Sequence, residues 1–64
     1  MFDYKVEYSY ERDGKRVYDS DVVYCCYASE AVEEIREYED RPVRIERVYR
    51  LVNGRYEEAY YEED

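Results

Sequence analysis

Two dipeptides, Asp13-Gly14 and Asn53-Gly54, constrain this chain more than any other feature. A two-residue type I′ turn needs positive φ at both central positions, which Asp, Asn and Gly adopt at least cost, and its twist matches that of paired strands. Each dipeptide lies between runs in which bulky and polar residues alternate. Two β-hairpins are therefore expected.

Before the first turn, Phe2, Tyr4, Val6, Tyr8 and Tyr10 alternate with Asp3, Lys5, Glu7 and Ser9, the pattern of a strand with one buried face. The register set by the turn opposes Tyr10 to Val17 and Glu11 to Arg16. It also carries Asp19 and Asp21 onto the apolar face, opposite Tyr8 and Val6. A bulge within Asp19-Ser20-Asp21 would absorb one residue and turn Val22, Tyr24 and Cys26 inward in place of Val23, Cys25 and Tyr27, and this is the expected arrangement.

Ser29 is a good N-cap, and Glu30, Glu33 and Glu34 suit the positive end of a helix dipole. Ala31, Val32, Ile35 and Tyr38 form a narrow apolar stripe, with acids around it, and Pro42 stops the pattern. The prediction is a helix over 29–40. "VRIERVYRLV" then reads as a third strand and "RYEEAYYEE" as its return, in a register that pairs Arg50 with Glu57 and Arg44 with Glu63.

The expected fold is α+β, a single domain over 1–64 with element order ββαββ. Its four-stranded antiparallel sheet has the order 2-1-3-4 and carries one helix packed on one face. One helix leaves the other face bare. Tyr18, Val48, Val52, Ala59 and Tyr61 are expected there, with whichever of the Val22/Tyr24 or Val23/Tyr27 sets is not inside, and Tyr18, Val48, Val52 and Tyr61 are the candidate sheet-face interface of a homodimer.

Chemistry is sparse. Cys25 and Cys26 are adjacent, and consecutive Cα atoms about 3.8 Å apart are closer than disulfide geometry prefers. "MFDYKVEYSY" lacks the basic start and apolar core of a signal peptide, so free thiols in a cytoplasmic protein are expected. With no histidine in the chain, neither a closed zinc site nor a Cys-His nucleophile has its ligand or base. No metal and no cofactor are expected. Glu57/Glu58 and Glu62/Glu63 are adjacent carboxylates that point to opposite faces of a strand, and no phosphate-binding or hydrolase motif occurs, so the chain does not read as an enzyme.

Charge supplies the remaining information. Eighteen acids against ten bases give a net charge of -8, which opposes direct contact with nucleic acid or anionic membranes and favours a basic protein partner. Nothing approaches the roughly 20 apolar residues that span a bilayer. Residues 30–40 hold six acids and one arginine, 41–55 five arginines and one glutamate, and 56–64 five acids. Glu30, Glu33, Glu34, Glu37 and Asp40 are the candidate partner-binding row, either a solvated face or a row of carboxylates spaced like phosphates. Arg44, Arg47, Arg50 and Arg55 with sheet tyrosines offer an RNA-binding alternative, against which the opposing glutamates and the net charge both count. Small size, acidity and missing catalytic residues together resemble the inhibitors that phages and mobile elements direct at host nucleases, including anti-CRISPR and anti-restriction proteins. That resemblance is one of composition and size and carries no residue across. It implies an inhibitor or adaptor acting in a host cytoplasm on a nuclease or another nucleic-acid-binding protein.

Overall fold

A computed structural model of the chain describes residues 1–61. The elements are β1 (Phe2–Arg12), β2 (Lys15–Cys25), α1 (Ala28–Tyr38), β3 (Arg44–Val52) and β4 (Arg55–Glu58). Both turns have the expected backbone, with φ of 52° and 77° at Asp13 and Gly14 and of 49° and 79° at Asn53 and Gly54. The strands form one antiparallel sheet in the order β2-β1-β3-β4, with α1 across one face. The predicted ββαββ topology is the observed one.

The expected bulge in β2 is absent. The β1–β2 ladder runs unbroken from Arg12 opposite Lys15 to Phe2 opposite Cys25, so Asp19 and Asp21 do stand on the helix-facing side. They are tolerated because β2 is an edge strand, where both remain exposed to water, and because Tyr8 donates a hydrogen bond to Asp21. Val23 and Cys25 therefore turn inward, while Val22, Tyr24 and Cys26 are exposed.

The irregularity lies on the other side of β1. Glu7 faces Arg47 but Tyr8 faces Ile45, which leaves Glu46 as the extra residue of a bulge in β3. This one residue switches the alternation, so that Ile45 and Val48, of opposite parity, both face α1. Val48 is thus a core residue at 2 % exposure, not part of a bare face. Val52 shares its side and is half-buried, and Ala59 and Tyr61 pack against the core. Of Tyr18, Val48, Val52, Ala59 and Tyr61, Tyr18 alone is on the bare face, where Val22 and Tyr24 join it.

The core is formed by Tyr4, Val6 and Tyr8 of β1, Cys25 of β2, Val48 of β3, and Ala28, Ala31, Val32 and Ile35 of α1. The helical four fall at i, i+3, i+4 and i+7, one stripe of a 3.6-residue period. Tyr38, expected in that stripe, is 84 % exposed. Ser29 is not the cap either. The helix begins one residue earlier, Tyr27 occupies the N-cap without a side-chain bond, and its carbonyl accepts from the amides of Glu30 and Ala31 at 3.1 and 3.3 Å. Ala28, the first helical residue, is buried against the sheet. At the other end the Glu39 amide donates to the Ile35 carbonyl at 3.0 Å, and Glu39 is itself extended, three residues before Pro42.

β4 is shorter than expected. Arg50 does face Glu57, and beyond Glu58 the Ala59 amide donates to the Val48 carbonyl at 2.8 Å, holding the chain beside β3. Arg44 faces Ser9, and the pairing proposed for it with Glu63 lies outside the described residues.

Candidate functional site

The helix divides its residues sharply. At about 100° per residue, Ala28, Ala31, Val32 and Ile35 point to the sheet, and Glu30, Glu33, Glu34 and Glu37 centre on the opposite direction. All four glutamates are exposed. Asp40 is exposed too, but lies past the helix end and extends the row only as a neighbour. Arg36 is the one cation within α1 and stands to the side of the ridge.

The acidic surface continues onto β2. Asp21 and Glu34 line one groove with Val22, Val23, Ile35 and Tyr38. At its end Tyr8 Oη lies 2.8 Å from Asp21 Oδ2 and 3.0 Å from Glu39 Oε1, so the single phenol proton serves two carboxylates. Burial first, and then these two bonds, hold the Tyr8 phenol well above its ordinary range. The sequence reading left Asp19, Asp21 and Glu39 out of the candidate site. The turn register had already placed the two aspartates on this side; assuming a bulge removed them.

The opposite face has another character. Tyr18, Val22 and Tyr24 on β2, Tyr49 and Leu51 on β3 and Tyr56 on β4 point away from α1, all exposed or half-buried. The Lys5 ammonium sits over the Tyr56 ring, 5.7 Å from its centroid. Among the described residues, four cations on this face, Lys5, Arg16, Arg44 and Arg47, meet five carboxylates, Asp3, Glu7, Glu11, Glu46 and Glu58. Several are paired within the face. Arg16 is 3.6 Å from Glu11, Arg44 donates to Glu46 at 2.7 Å, and Arg47 stands opposite Glu7. The fully buried Ser9 also donates to Glu46, at 2.5 Å. That bond, followed by the one from Arg44, holds the Glu46 carboxyl below its ordinary range.

The arginines proposed to contact RNA do not form one stripe. Arg44 and Arg47 lie on the outer face, whereas Arg50 is on the helix side, its guanidinium 4.7 Å from the Phe2 ring centroid. Arg55 follows the second turn. Of the adjacent carboxylates, Glu57 and Glu58 are exposed on opposite sides of β4, and Glu62 and Glu63 lie outside the described residues.

Both cysteines are free thiols. Cys25 is buried with Sγ 3.2 Å from the Tyr27 carbonyl oxygen, and Cys26 is exposed. Burial pushes the Cys25 thiol up, with Glu30 and Glu34 adding to the effect against the Tyr27 bond, so it remains protonated and packs as an apolar group. Among the described residues no three His, Cys, Asp or Glu side chains are placed to share a metal ion, and no helix is long and apolar enough to cross a membrane.

The molecule thus has an acidic helix side and an aromatic, nearly charge-balanced sheet side. No family model matches the chain, and comparison with curated proteins and with solved structures found no match.

Proposed function

We propose that this chain is a protein-binding inhibitor or adaptor whose helix side occupies a basic, nucleic-acid-binding site on another protein. The ridge of Glu30, Glu33, Glu34 and Glu37 carries the reading. These residues span about 10.5 Å of helix axis at 1.5 Å per residue, or about 3.5 Å per carboxylate interval. One strand of duplex DNA carries a phosphate every 3.4 Å or so of axis. A rigid element therefore presents negative charge at nearly the linear density that a phosphate-binding groove accepts. Asp21 and Glu39 widen the acidic surface beyond the ridge, and Tyr38, largely exposed beside it, offers an aromatic anchor.

The chain acts in this proposal by occupancy, through carboxylates that display charge on the outer side of the helix. Host nucleases and other nucleic-acid-binding enzymes are the partner class. The anti-CRISPR and anti-restriction proteins of phages are the functional type that a small acidic domain of this kind resembles, with the host cytoplasm as the place of action.

Competition tests the proposal. The protein is immobilised, bacterial nucleic-acid-binding proteins are passed over it at low salt, and retained species are challenged with duplex DNA. Release by DNA and by about 1 M salt, where the Debye length is about 3 Å, is expected. A variant with Glu30, Glu33, Glu34 and Glu37 all replaced by Lys should retain none of the same species. Equal retention by that variant would reduce the ridge to a solvated helix face.

A further inference from the structure

We infer that the outer face of the sheet is a docking surface for a second copy of this chain, forming a face-to-face homodimer with both acidic ridges turned outward. The inference is independent of the acidic-ridge proposal, since it uses the other side of the molecule. Its basis is a contrast in charge. The described residues 1–61 hold fifteen acids and ten bases, a net charge of -5, yet on this face four cations meet five carboxylates, so most of that excess lies on other parts of the described surface. Two copies approaching through their helices repel. Through this face they meet with charges close to balanced, several already paired within each copy. A basic partner is drawn to the helix side and has no comparable attraction here.

The face also has a residue make-up that suits an interface. Val22, Tyr24, Tyr49, Leu51 and Tyr56 gather at one half, with Asp3, Lys5 and Glu58 among them, and the Arg16–Glu11 and Arg44–Glu46 pairs lie toward the first turn. Exposed tyrosines of this kind are enriched in protein interfaces relative to the rest of a surface. Val22 is 55 % exposed and Tyr24 64 %, so in the single chain they contribute little to folding.

Area sets the expected strength. Each strand residue covers about 16 Å2 of sheet plane, and the four strands together cover on the order of 550 Å2. That falls somewhat below the roughly 800 Å2 per partner of a standard stable interface, so a reversible dimer in the micromolar range is expected. Pairing along the β2 edge is the rival route. A two-fold centred at Ser20 would set Asp19 of each copy opposite Asp21 of the other, and such inward-side acids are a device that blocks edge pairing.

Sedimentation from low to high micromolar concentration decides the matter. A shift from the 8.0 kDa monomer to twice that mass is expected, unchanged between about 0.1 M and 1 M salt. Val22→Glu and Tyr24→Ser, at exposed positions, should each keep the circular dichroism of the fold and weaken association at least tenfold, while Lys at Glu30, Glu33, Glu34 and Glu37 should leave it intact. A wild-type chain that stays at 8.0 kDa throughout overturns the inference, as does a dimer that both outer-face variants preserve. New protection of β2 amides on association would identify edge pairing and overturn it as well.

Discussion

Tyr8 keeps its ring at 1 % exposure in the core and places its hydroxyl 2.8 Å from Asp21, the residue diagonal to it across the β1–β2 ladder. This contact explains how a carboxylate can sit on the helix side of the sheet. It supports a sharp expectation. Tyr8→Phe retains the ring and removes the shared donor, so it should destabilise the protein by about 1 kcal/mol, less than the roughly 1.5–3 kcal/mol usual for a bond to a charged group because Asp21 can rehydrate. Asp21→Asn keeps an acceptor for Tyr8 and brings an amide donor toward Glu39, so it should be neutral or slightly stabilising. Urea unfolding of both variants checks the pair, and a larger loss from Asp21→Asn than from Tyr8→Phe would show that the geometry has been misread.

Val48 and Val22 are predicted to behave as opposites. Val48→Ala empties space beside Val6 and the helix and should cost about 1.5–3 kcal/mol, while Val22→Ala at an exposed site should stay within about 0.5 kcal/mol in the monomer. Denaturant midpoints at concentrations too low for association read this directly. Equal losses would mean that β3 is not shifted by its bulge.

The contrast also marks where the sequence ceased to be informative. Both Asx-Gly turns, the strand order and the alternation of β1 were legible because each rests on local backbone chemistry or on a single clear period. The bulge was placed on the wrong strand, since Asp19 and Asp21 looked like a defect when only the neighbouring Tyr8 hydroxyl and the open edge make them acceptable. In β3 the sets Ile45/Tyr49/Leu51 and Val48/Val52 are equally apolar. Periodicity alone could not choose between them, and the extra residue at Glu46 takes members of both. The acidic ridge was readable because helical spacing alone separates Glu30, Glu33, Glu34 and Glu37 from Ala31, Val32 and Ile35. Tyr38 leaves the stripe because it lies toward the β2 edge, where it lines the open groove with Asp21, Val22 and Val23.

Glu46 gives the protein an acid-sensitive contact. Its folded-state pKa lies below the unfolded value because Ser9 and Arg44 bind the carboxylate. The folded state therefore binds that proton less tightly. The contribution is present above the unfolded value of about 4.3 and is lost as pH falls through the folded one. The urea midpoint of Glu46→Gln should accordingly fall short of wild type near neutrality, with the gap closing below about pH 4. A gap that widens on acidification would contradict the assignment.

Thiol labelling should split the two cysteines. Cys26 is exposed and should react with a maleimide in the native state, whereas Cys25, buried and held protonated, should react only as the protein opens. One equivalent of rapid label per chain, rising to two in denaturant, is the expected result, and mass spectrometry of proteolytic fragments assigns the site. Rapid native labelling of Cys25 would remove it from the core.

The ridge should weaken the helix that carries it. Glu30 and Glu33, Glu30 and Glu34, Glu33 and Glu37, and Glu34 and Glu37 are all like-charge neighbours at i+3 or i+4, each unfavourable by a few tenths of a kcal/mol. Only Glu30 lies in the first turn, where the helix dipole compensates. Glu34→Lys converts two repulsive pairs into attractive ones, one in the favourable order with glutamate N-terminal to lysine, and it faces Asp21 across the groove. It should raise stability by about 1 kcal/mol at low salt, equivalent to roughly 4–8 °C in Tm for a domain of this size. Glu30→Lys relieves two repulsive pairs as well but reverses a dipole contribution of about 0.3–1 kcal/mol, so it should gain clearly less than Glu34→Lys. Added salt should narrow the gap between Glu34→Lys and wild type. Thermal melts of the two variants at low and high salt settle the point. If Glu34→Lys melts below wild type at low salt, the ridge contributes to folding, and charge display at the expense of stability no longer accounts for it.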